Sequence, residues 1–403
     1  MKTVAIISEY NPFHTGHEYQ IRKIRDEFGE ETRIVAIMSG NYTQRGDVAF
    51  IDKSTRAECA IRCGANLVLE IPFPYSSSSA EFFASSGVKI ADSIGVVDVL
   101  SFGSELGDID TLKTIAKNTS SDEYKNALAE IIESGKSEGY PRACEKAYTT
   151  LFGKENASTI SSPNNILALE YIKAICALNA NLTPHTIKRE GADYASEEIA
   201  SDMHQSASAI RKAMIENFES AIDYLPHQIK DTVLSTFENN KSPCDAERIS
   251  SAIISFFRLN PTAPIDEIHD AGGGLYNRLY GASLEANTLS GLISLSDTKK
   301  YTTARIKRAI WYSFFGVTSS IMKELPRYTQ VLAADIVGRR ILKEAKKKSS
   351  FPIITKPSVY DFCDEDAIRQ KKLSDKADSI FQLTKPSFES GSKALKTSPY
   401  IVK

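Results

Sequence analysis

Two histidines three residues apart, His14 and His17, follow the first apolar run of the chain, Val4–Ile7. The run predicts a β-strand, the Asn-Pro pair after it predicts a turn, and His-x-Gly-His opens a helical pattern. A helix start offers unpaired backbone N–H groups and a positive dipole end, so it suits an anion. Residues three apart share one helix face, and Gly16 leaves space near the backbone. The segment therefore predicts binding of a nucleoside polyphosphate, whereas a zinc site lacks a nearby third ligand.

Further polar segments are predicted to reach the same place from other elements. Ser206–Arg211 offers hydroxyls and a guanidinium at a second helix start, which suits phosphate. Asn164 and Asn165 follow a Ser-Ser-Pro helix signal. One of them can cap the helix and the other can contact a base or ribose, and the sequence leaves open which does which. Arg189 is a further candidate for a phosphate or base contact.

The loop Ser39–Asp47 carries amides, an arginine and flanking glycines, and Asp52 and Lys53 follow it closely. Its place after a predicted strand indicates the substrate side of the site. The candidates in this loop are Asn41, Gln44 and Arg45.

Short apolar runs alternate with helical patterns over residues 1–110, which predicts a parallel sheet covered on both faces. In such sheets ligands bind outside the carboxyl ends of the strands, where the candidate loops lie. The predicted strands are Val4–Ile7, Ile34–Met38, Leu67–Ile71 and Val97–Phe102, and the helices between them are Glu18–Phe28, Ser54–Arg62 and Ala80–Ser93.

The remaining chain is predicted to be mostly helical. Residues 108–152 form a helical insertion, and Pro184–Lys188 forms a late strand. Thr302–Phe315 and Thr329–Lys347 are predicted as two amphipathic helices. We expect an α/β domain over residues 1–225, with a Rossmann-like parallel sheet, and a mainly helical domain over residues 226–403.

Charge is concentrated in the second half. Residues 299–348 contain thirteen Lys or Arg against three acids, although the whole chain has a net charge of −2. Such an excess predicts a polyanionic partner, and aromatic residues among the charges suit RNA. The candidate RNA-binding residues are Lys299, Lys300, Arg305, Lys307, Arg308, Arg339, Arg340 and Lys343.

Composition is ordinary for a globular protein, with 42% hydrophobic and 25% charged residues among 403. No apolar run approaches the roughly 20 residues of a membrane helix, and the chain enters its first strand without a signal-peptide pattern. The six cysteines are scattered and complete no zinc motif. We therefore expect a cytoplasmic protein with reduced cysteines and no membrane partner.

The motifs together resemble the tRNA(Met) cytidine acetate ligase family of the HxGH nucleotidylyltransferase superfamily. The resemblance spans almost the whole chain. It is carried by Glu9–His17, Met38–Asn41, Gln44–Gly46, Asp52-Lys53, Ser101–Glu105, Ser162–Asn165, Ser206–Arg211, Tyr301–Arg308 and Pro352–Lys356.

This resemblance implies a reaction in two steps. Acetate attacks the α-phosphate of ATP to give acetyl-adenylate, and the acetyl group passes to the wobble cytidine of elongator tRNA(Met) as N4-acetylcytidine. It also allows Mg²⁺ on the phosphates, for which the sequence offers no assignable carboxylate ligands. The ATP-binding residues it implies are Ile7, Ser8, Glu9, Tyr10, Asn11, Pro12, Phe13, His14, Thr15, Gly16, His17, Glu18, Tyr19, Gln20, Gly103, Asn164, Asn165, Arg189, Glu190, Ser206, Ser208 and Arg211.

The same resemblance divides the roles among these residues. His14 and His17 stabilise charge on the α- and β-phosphates, while Ser206, Ser208 and Arg211 hold the departing pyrophosphate. Catalytic candidates beside the histidines are Asp52 and Lys53, which line the acetate and cytosine side.

Two alternatives remain open at this point. An adenylyltransferase or a citrate-lyase-type acetate ligase could use the same nucleotide core, and neither needs a basic helical half. A non-catalytic RNA-binding protein could retain the fold alone. The sequence identifies no protein partner.

Overall fold

The computed structural model describes residues 1–134, 139–189, 205–263, 267–360 and 363–402. Its first part alternates strands and helices as the sequence predicts. In chain order the elements are β1 (Thr3–Ser8), α1 (Thr15–Phe28), β2 (Arg33–Ser39), α2 (Lys53–Arg62), β3 (Leu67–Ile71), α3 (Ala80–Ser93) and β4 (Val99–Ser104).

A helical insertion follows the fourth strand, as the sequence predicts, before the chain returns to the sheet. Asp108 and Ser121 begin its first two helices by accepting hydrogen bonds from backbone N–H groups. The insertion comprises α4 (Ile109–Ser120), α5 (Asp122–Glu133) and α6 (Tyr140–Phe152). The elements that follow it are α7 (Pro163–Ala177), β5 (Thr183–Lys188), α8 (Ala207–Glu216) and α9 (Phe218–Ala221).

The second half is mainly helical up to residue 323 and then adds strands. Its elements are α10 (Lys230–Glu238), α11 (Ser250–Leu259), α12 (Leu275–Glu285), α13 (Leu289–Ser296), α14 (Thr303–Phe315), α15 (Ser319–Lys323), β6 (Thr329–Ala334), α16 (Ile336–Lys348), β7 (Ile353–Ile354), α17 (Glu365–Phe381), α18 (Lys393–Lys396) and β8 (Tyr400–Ile401).

The sheet has the order β5-β4-β1-β2-β3-β6-β7, with β8 beside β6. Strands β1 to β5 are parallel, and in the register Ile6 lies opposite Ala36 and Val4 opposite Val99. The chain builds outward from β1 through β2 and β3, then crosses to β4 on the other side of β1. This reversal between β1 and β4 is the switch point at which α/β sheets bind ligands.

Alternate residues of β1 enter two hydrophobic clusters on opposite faces of the sheet. Val4 and Ile6 belong to the cluster that contains buried residues of α1, α2 and α8. Ala5 and Ile7 belong to the other, which contains buried residues of α3, α7 and α14. The helices of both halves of the chain therefore share the cores that hold β1 in place.

The prediction of one helix over Thr329–Lys347 is wrong for its first third. Residues 329–334 form β6, which pairs antiparallel with β3, and α16 begins only after Asp335. All six residues of β6 are buried, as a strand inside a sheet requires. The division of the chain at residue 225 stays a prediction, and strands from beyond it extend the sheet.

Helix α16 lies at the amino ends of the parallel strands. Gly338 lies against the carbonyl of Asn66, the residue before β3. Arg33, the first residue of β2, forms an ion pair with Glu344 at 2.9 Å. The exposed basic side chains of α16 therefore lie at the edge of the sheet opposite the carboxyl ends. In the described ranges, no helix has the length and apolar character needed to cross a membrane.

Candidate active site

A cavity of about 710 Å³ opens at the carboxyl ends of β1 and β4. Its lining comes from the loop after β1, the loop after β2, the end of β4 and the first turns of α7 and α8. Residues of α13 and α14 close it from the second half of the chain. The cavity therefore lies where the strand order predicts a ligand.

The two histidines form the start of α1. His14 is its N-cap, and its Nδ1 accepts a hydrogen bond from the N–H of Gly16 at 3.1 Å. His17 reaches back, and its Nδ1 accepts from the N–H of His14 at 3.2 Å. The rings lie with their centroids 3.7 Å apart. Histidines thus make the reciprocal cap that Ser and Glu usually make.

This cap fixes where the imidazoles carry their protons. Because Nδ1 accepts in both rings, the proton of each neutral ring is on Nε2. Burial, the neighbouring His14 ring and the Arg189 guanidinium lower the pKa of His17 well below its ordinary value. His17 is therefore a neutral N–H donor at physiological pH, and both histidines line the cavity.

The start of α8 lies on the same cavity. Ser206 is its N-cap and accepts from the N–H of Ala209 at 3.1 Å. Arg211 donates to the carbonyl of Asn11 at 2.7 Å and to the hydroxyl of Ser208 at 3.0 Å. Arg211 thus ties the second helix start to the loop that carries the histidines.

The two asparagines of α7 differ in place. The Oδ1 of Asn165 accepts from the backbone N–H groups of Glu105 and Leu106, at 3.0 and 3.3 Å. Glu105 in turn accepts from the backbone N–H groups of both asparagines and from Nδ2 of Asn164. Only Asn164 of the two lines the cavity. Ser162 is the N-cap of α7, so the prediction that one asparagine caps this helix is wrong.

The loop after β2 is held by groups on both sides of the cavity. The N–H of Gln44 donates to Oε1 of Glu9 at 2.7 Å. Lys307 of α14 forms an ion pair with Asp47 at 2.6 Å, and Nε1 of Trp311 donates to the carbonyl of Gly46 at 2.7 Å. Helix α14 thus positions the loop as well as lining the cavity.

Arg56 is a positioning residue that the sequence analysis missed. Its side chain is almost fully buried, and its guanidinium donates to four backbone carbonyls. These belong to residues 9, 39, 40 and 51, at 2.5 to 3.1 Å. Arg56 therefore holds the ends of β1 and β2 together. An arginine within a helical pattern carries no sequence signal for such a role.

Asp52 and Lys53 are not among the residues that line the cavity. Asp52 caps α2, and although burial acts to raise its pKa, Lys385 and the N–H of Thr55 bring it below the usual range. Lys53 forms ion pairs with Glu70, at 2.6 Å, and with Asp378 of α17. Against the effect of burial, these two carboxylates raise its pKa.

Asn41 belongs to the same buried cluster as Lys53. Its Nδ2 donates to Asp378 at 2.8 Å, and its Oδ1 accepts from the N–H of Lys53 at 2.9 Å. The hydroxyl of Tyr42 donates to the carbonyl of Ala377 at 3.0 Å. Helix α17 therefore supports the first residues of the loop after β2.

Most sequence-predicted site residues meet in this one cavity. Those that line it are Ile7, Ser8, Glu9, Tyr10, Asn11, His14, His17, Gln20, Gln44, Arg45, Gly103, Asn164, Arg189, Ser206, Ser208, Arg211 and Lys307. Those that lie outside its lining are Pro12, Phe13, Thr15, Gly16, Glu18, Tyr19, Asn41, Asp52, Lys53 and Asn165. Glu190 falls outside the described residues.

The apolar wall of the cavity was not predicted as part of a site. It includes Phe83, Phe102, Leu167, Tyr171, Leu289, Ile293, Ile310 and Trp311. In the sequence these residues fit ordinary helical or strand patterns, so nothing distinguishes a cavity wall from a core. Arg248 was also missed. It lines the cavity mouth, and within the described ranges its guanidinium makes no hydrogen bond or ion pair.

The predicted RNA-binding residues lie in two separate places. Around α14, Arg308 pairs with Asp270 at 2.7 Å, Arg305 donates to the carbonyls of Asp270 and Gly272, and Lys300 donates to that of Gly273. Lys299 is exposed before the same helix. Arg339, Arg340 and Lys343 are exposed on α16, at the opposite edge of the sheet.

No cluster of three His, Cys, Asp or Glu side chains that could hold a metal ion occurs in the described ranges. All six cysteines are free. The cavity lining offers N–H and guanidinium donors.

Comparison with known proteins assigns the chain to a family. The family model for HIGH Nucleotidyl Transferase matches residues 1–395. A curated tRNA(Met) cytidine acetate ligase from Thermoanaerobacter sp. (strain X514) is 38% identical over 366 residues, 89% of this chain and 90% of its own. A ligase of the same name from Clostridium perfringens is 33% identical over 415 residues and covers 100% of both chains.

Solved structures agree over the whole chain. The crystal structure of apo TmcAL from Thermotoga maritima superposes with a TM-score of 0.92 at 30% identity, covering 100% of both chains. The same protein bound with alpha-thio ATP gives a TM-score of 0.89 and 30% identity, covering 100% of this chain and 99% of its own. This chain therefore belongs to the tRNA(Met) cytidine acetate ligase family of HIGH nucleotidyl transferases.

Proposed function

We propose that this protein is an ATP-dependent ligase that acetylates the wobble cytidine of elongator tRNA(Met). Acetate is first activated as acetyl-adenylate, and the acetyl group then passes to the cytidine. The observation that carries this proposal is the reciprocal cap, which directs two imidazoles with protons on Nε2 to a cavity at the switch point of the sheet. The family supports the choice of acetate and tRNA as substrates.

In the first step an acetate oxygen attacks the α-phosphorus of ATP. A bond forms between the acetate oxygen and the α-phosphorus. The bond from the α-phosphorus to the oxygen that bridges to the β-phosphate breaks, and pyrophosphate leaves with that oxygen. No proton is transferred, so the residues act by placing donors where negative charge grows. A well-placed donor of this kind contributes about 3 kcal/mol to transition-state stabilisation. His14 and His17 are the donors we assign to the α- and β-phosphates.

Pyrophosphate is held, in this proposal, at the start of α8. Ser206, Ser208 and Arg211 bring hydroxyls, backbone N–H groups and one cation to the cavity wall. Because Arg211 also bonds to Asn11, binding of pyrophosphate there is coupled to the position of the histidine loop. Such a helix start suits an anion of two phosphates.

The nucleoside end of ATP fits the other side of the switch point. Gly103, Asn164 and Arg189 line the cavity beside the apolar wall from α7. Asn165 holds the β4–α4 connection through Glu105 and Leu106. We therefore assign Asn164 to the nucleoside and give Asn165 a supporting role.

The tRNA is proposed to approach over α14. Lys307 and Arg248 line the cavity beside Trp311, so an inserted cytidine would bring its flanking phosphates to these two cations. Lys299 and Lys300 precede α14 by a few residues and extend the basic surface away from the cavity. Phosphate contacts of this type position RNA without reading its sequence.

A different part of the same tRNA is proposed to contact Arg339, Arg340 and Lys343. A strand of six residues spans about 20 Å, so these residues lie at least that far from the cavity. We propose that they contact the tRNA away from its anticodon. Mg²⁺, if it is bound with ATP, would neutralise charge on the phosphates.

One experiment tests the proposal directly. The protein is incubated with labelled acetate, ATP and total tRNA, and the label is located by nuclease digestion of the RNA. Label in N4-acetylcytidine of elongator tRNA(Met), with pyrophosphate exchange that depends on acetate, supports the proposal. Exchange without acetate would instead favour a different acceptor acid or a simple adenylyltransferase.

A further inference from the structure

One acidic side chain in the cavity, Glu9, is not used by the proposed mechanism. It follows β1 directly and lines the cavity between the histidine loop and the loop after β2. ATP, acetate and pyrophosphate are all anions, so a carboxylate among them is unfavourable unless it meets a hydrogen-bond donor. The presence of Glu9 therefore indicates that one reactant donates a hydrogen bond to it.

Two hydrogen bonds hold Glu9, and among the described residues only one of its carboxylate oxygens has a donor. Its backbone carbonyl accepts from Arg56 at 2.5 Å, and its Oε1 accepts from the N–H of Gln44 at 2.7 Å. No described group donates to Oε2, and this atom is not among the buried atoms that lack a partner. The second oxygen is therefore available to a donor within the cavity.

Cytosine supplies the matching donor. Its exocyclic amine carries two N–H groups, and a Glu or Asp carboxylate is the side chain that pairs with this amine. Uracil presents an oxygen at the same position, which a carboxylate repels. Resting on the proposed function, we propose that Glu9 recognises the amine of the wobble cytidine and takes up the proton released during acetyl transfer.

The N4 lone pair attacks the carbonyl carbon of acetyl-adenylate, a C–N bond forms, and the C–O bond to AMP breaks. AMP leaves as its phosphate anion with the electron pair of that bond. N4 must lose one of its two protons, and Glu9 accepts it through Oε2 before solvent removes it. Uridine, which has an oxygen instead of this amine, cannot complete the sequence.

The surroundings of Glu9 affect how readily its carboxylate accepts a proton. Burial raises the pKa of Glu9, while the Gln44 N–H and the cations of Arg211 and Arg56 oppose that rise and Asp47 adds to it. A carboxylate whose pKa is raised is a stronger proton acceptor than an exposed one. These are the charged groups that face Glu9 from α8, α2 and the loop after β2.

The test separates the two reactions of the enzyme. Glu9→Gln keeps an acceptor for Gln44 but cannot take a proton, and Glu9→Asp keeps the acid but shortens its reach. Acetate-dependent ATP–pyrophosphate exchange is measured in each variant as the reference for its first step. Single-turnover transfer to tRNA should fall at least a hundredfold in Glu9→Gln, with Glu9→Asp about tenfold faster than Glu9→Gln.

Two further readouts distinguish chemistry from loop positioning. Transfer by the native protein should rise with pH to a plateau as Glu9 ionises, and this limb should disappear in Glu9→Gln. An anticodon stem-loop with cytidine should bind about tenfold more tightly than one with uridine, and Glu9→Gln should lose that preference.

Several results would overturn the assignment. A raised KM for ATP in the exchange reaction would place Glu9 on the nucleoside. Normal acetyl transfer in Glu9→Gln, or loss of transfer in Glu9→Asp but not in Glu9→Gln, would show that Glu9 acts only through its contact with Gln44. Absence of acetate-dependent exchange in the native protein would refute the proposed function instead, so the two failures are distinguishable.

Discussion

Replacement of Lys53 by Met tests whether this residue acts on substrate or supports the loop after β2. Lys53 is predicted from sequence as catalytic, yet it lies outside the cavity lining and between the carboxylates of Glu70 and Asp378. Methionine has a similar length and no charge. The substitution therefore leaves two buried carboxylates close together without their shared cation.

The expected magnitude follows from that burial. The side chains of Lys53, Glu70 and Asp378 are 10%, 3% and 7% exposed. Removing one partner of a buried ion pair costs about 3–5 kcal/mol, which is about a hundredfold to a few thousandfold in the folding equilibrium. Because one cation serves two carboxylates here, we expect the upper part of that range.

The loss should depend on pH in a defined direction. In Lys53→Met the carboxyl of Glu70 has a folded-state pKa above its unfolded-state value, since burial and the neighbouring Asp378 oppose its ionisation and the lysine no longer counters them. Stability from such groups is present below the unfolded-state pKa and is lost as pH rises through the folded-state pKa. The deficit should therefore be largest near neutral pH and should shrink as the pH falls toward about 4.

The assay is urea unfolding followed by the fluorescence of Trp311, the one tryptophan of the chain, which bonds to Gly46 of the loop. The matched variant is Lys53→Met with Glu70→Gln and Asp378→Asn, which removes the charge imbalance and retains an acceptor for Asn41. We expect it to recover most of the lost stability and to retain acetyl transfer. A stable triple variant without transfer would refute the supporting role and restore Lys53 as a catalytic residue.

His14→Ala and His17→Ala should each slow acetate-dependent exchange by about 10²–10³-fold, with a tRNA affinity within about twofold of the native value. The control His185→Ala, a change on β5 outside the cavity, should leave exchange unchanged. Equal loss of exchange and of tRNA affinity would contradict the division of roles. Asn164→Ala should raise the KM for ATP, whereas Asn165→Ala should lower stability by about 1–2 kcal/mol at constant KM; the reverse pattern would exchange their assignments. Lys307→Ala should weaken tRNA binding, lower the slope of log affinity against log salt by about one, and slow transfer. Replacing Arg339, Arg340 and Lys343 together by Ala should lower that slope by about two to three without slowing transfer at saturating tRNA. An unchanged slope in this triple variant would show that α16 does not contact the tRNA.

The sequence was sufficient to predict the first part of the fold, because its strands are continuous apolar runs between amphipathic helices. The histidine motif was interpretable since its chemistry depends on local spacing, and its capping geometry is itself local. The carboxyl-end rule then brought Gly103, Asn164 and the start of α8 to the same cavity. These predictions needed only periodicity and the topology of parallel sheets.

Features that depend on distant contacts were not predictable in this way. The run that forms β6 is short and apolar, and only the capping residue Asp335 separates it from α16. Periodicity cannot distinguish such a run from the first turns of a helix. The roles of Arg56 and Asp378 also depend on partners far away in the sequence, as does the place of Lys53 in a buried cluster.

The contact between Asp378 and the loop after β2 has a consequence for synthesis on the ribosome. Lys53 and Glu70 emerge early, but the second carboxylate and the acceptor for Asn41 come from α17, hundreds of residues later. A nascent chain can form the parallel strands around β1 while this loop still lacks its support. The loop after β2, which lines the cavity, is therefore fully supported only late in translation, once α17 has folded against it.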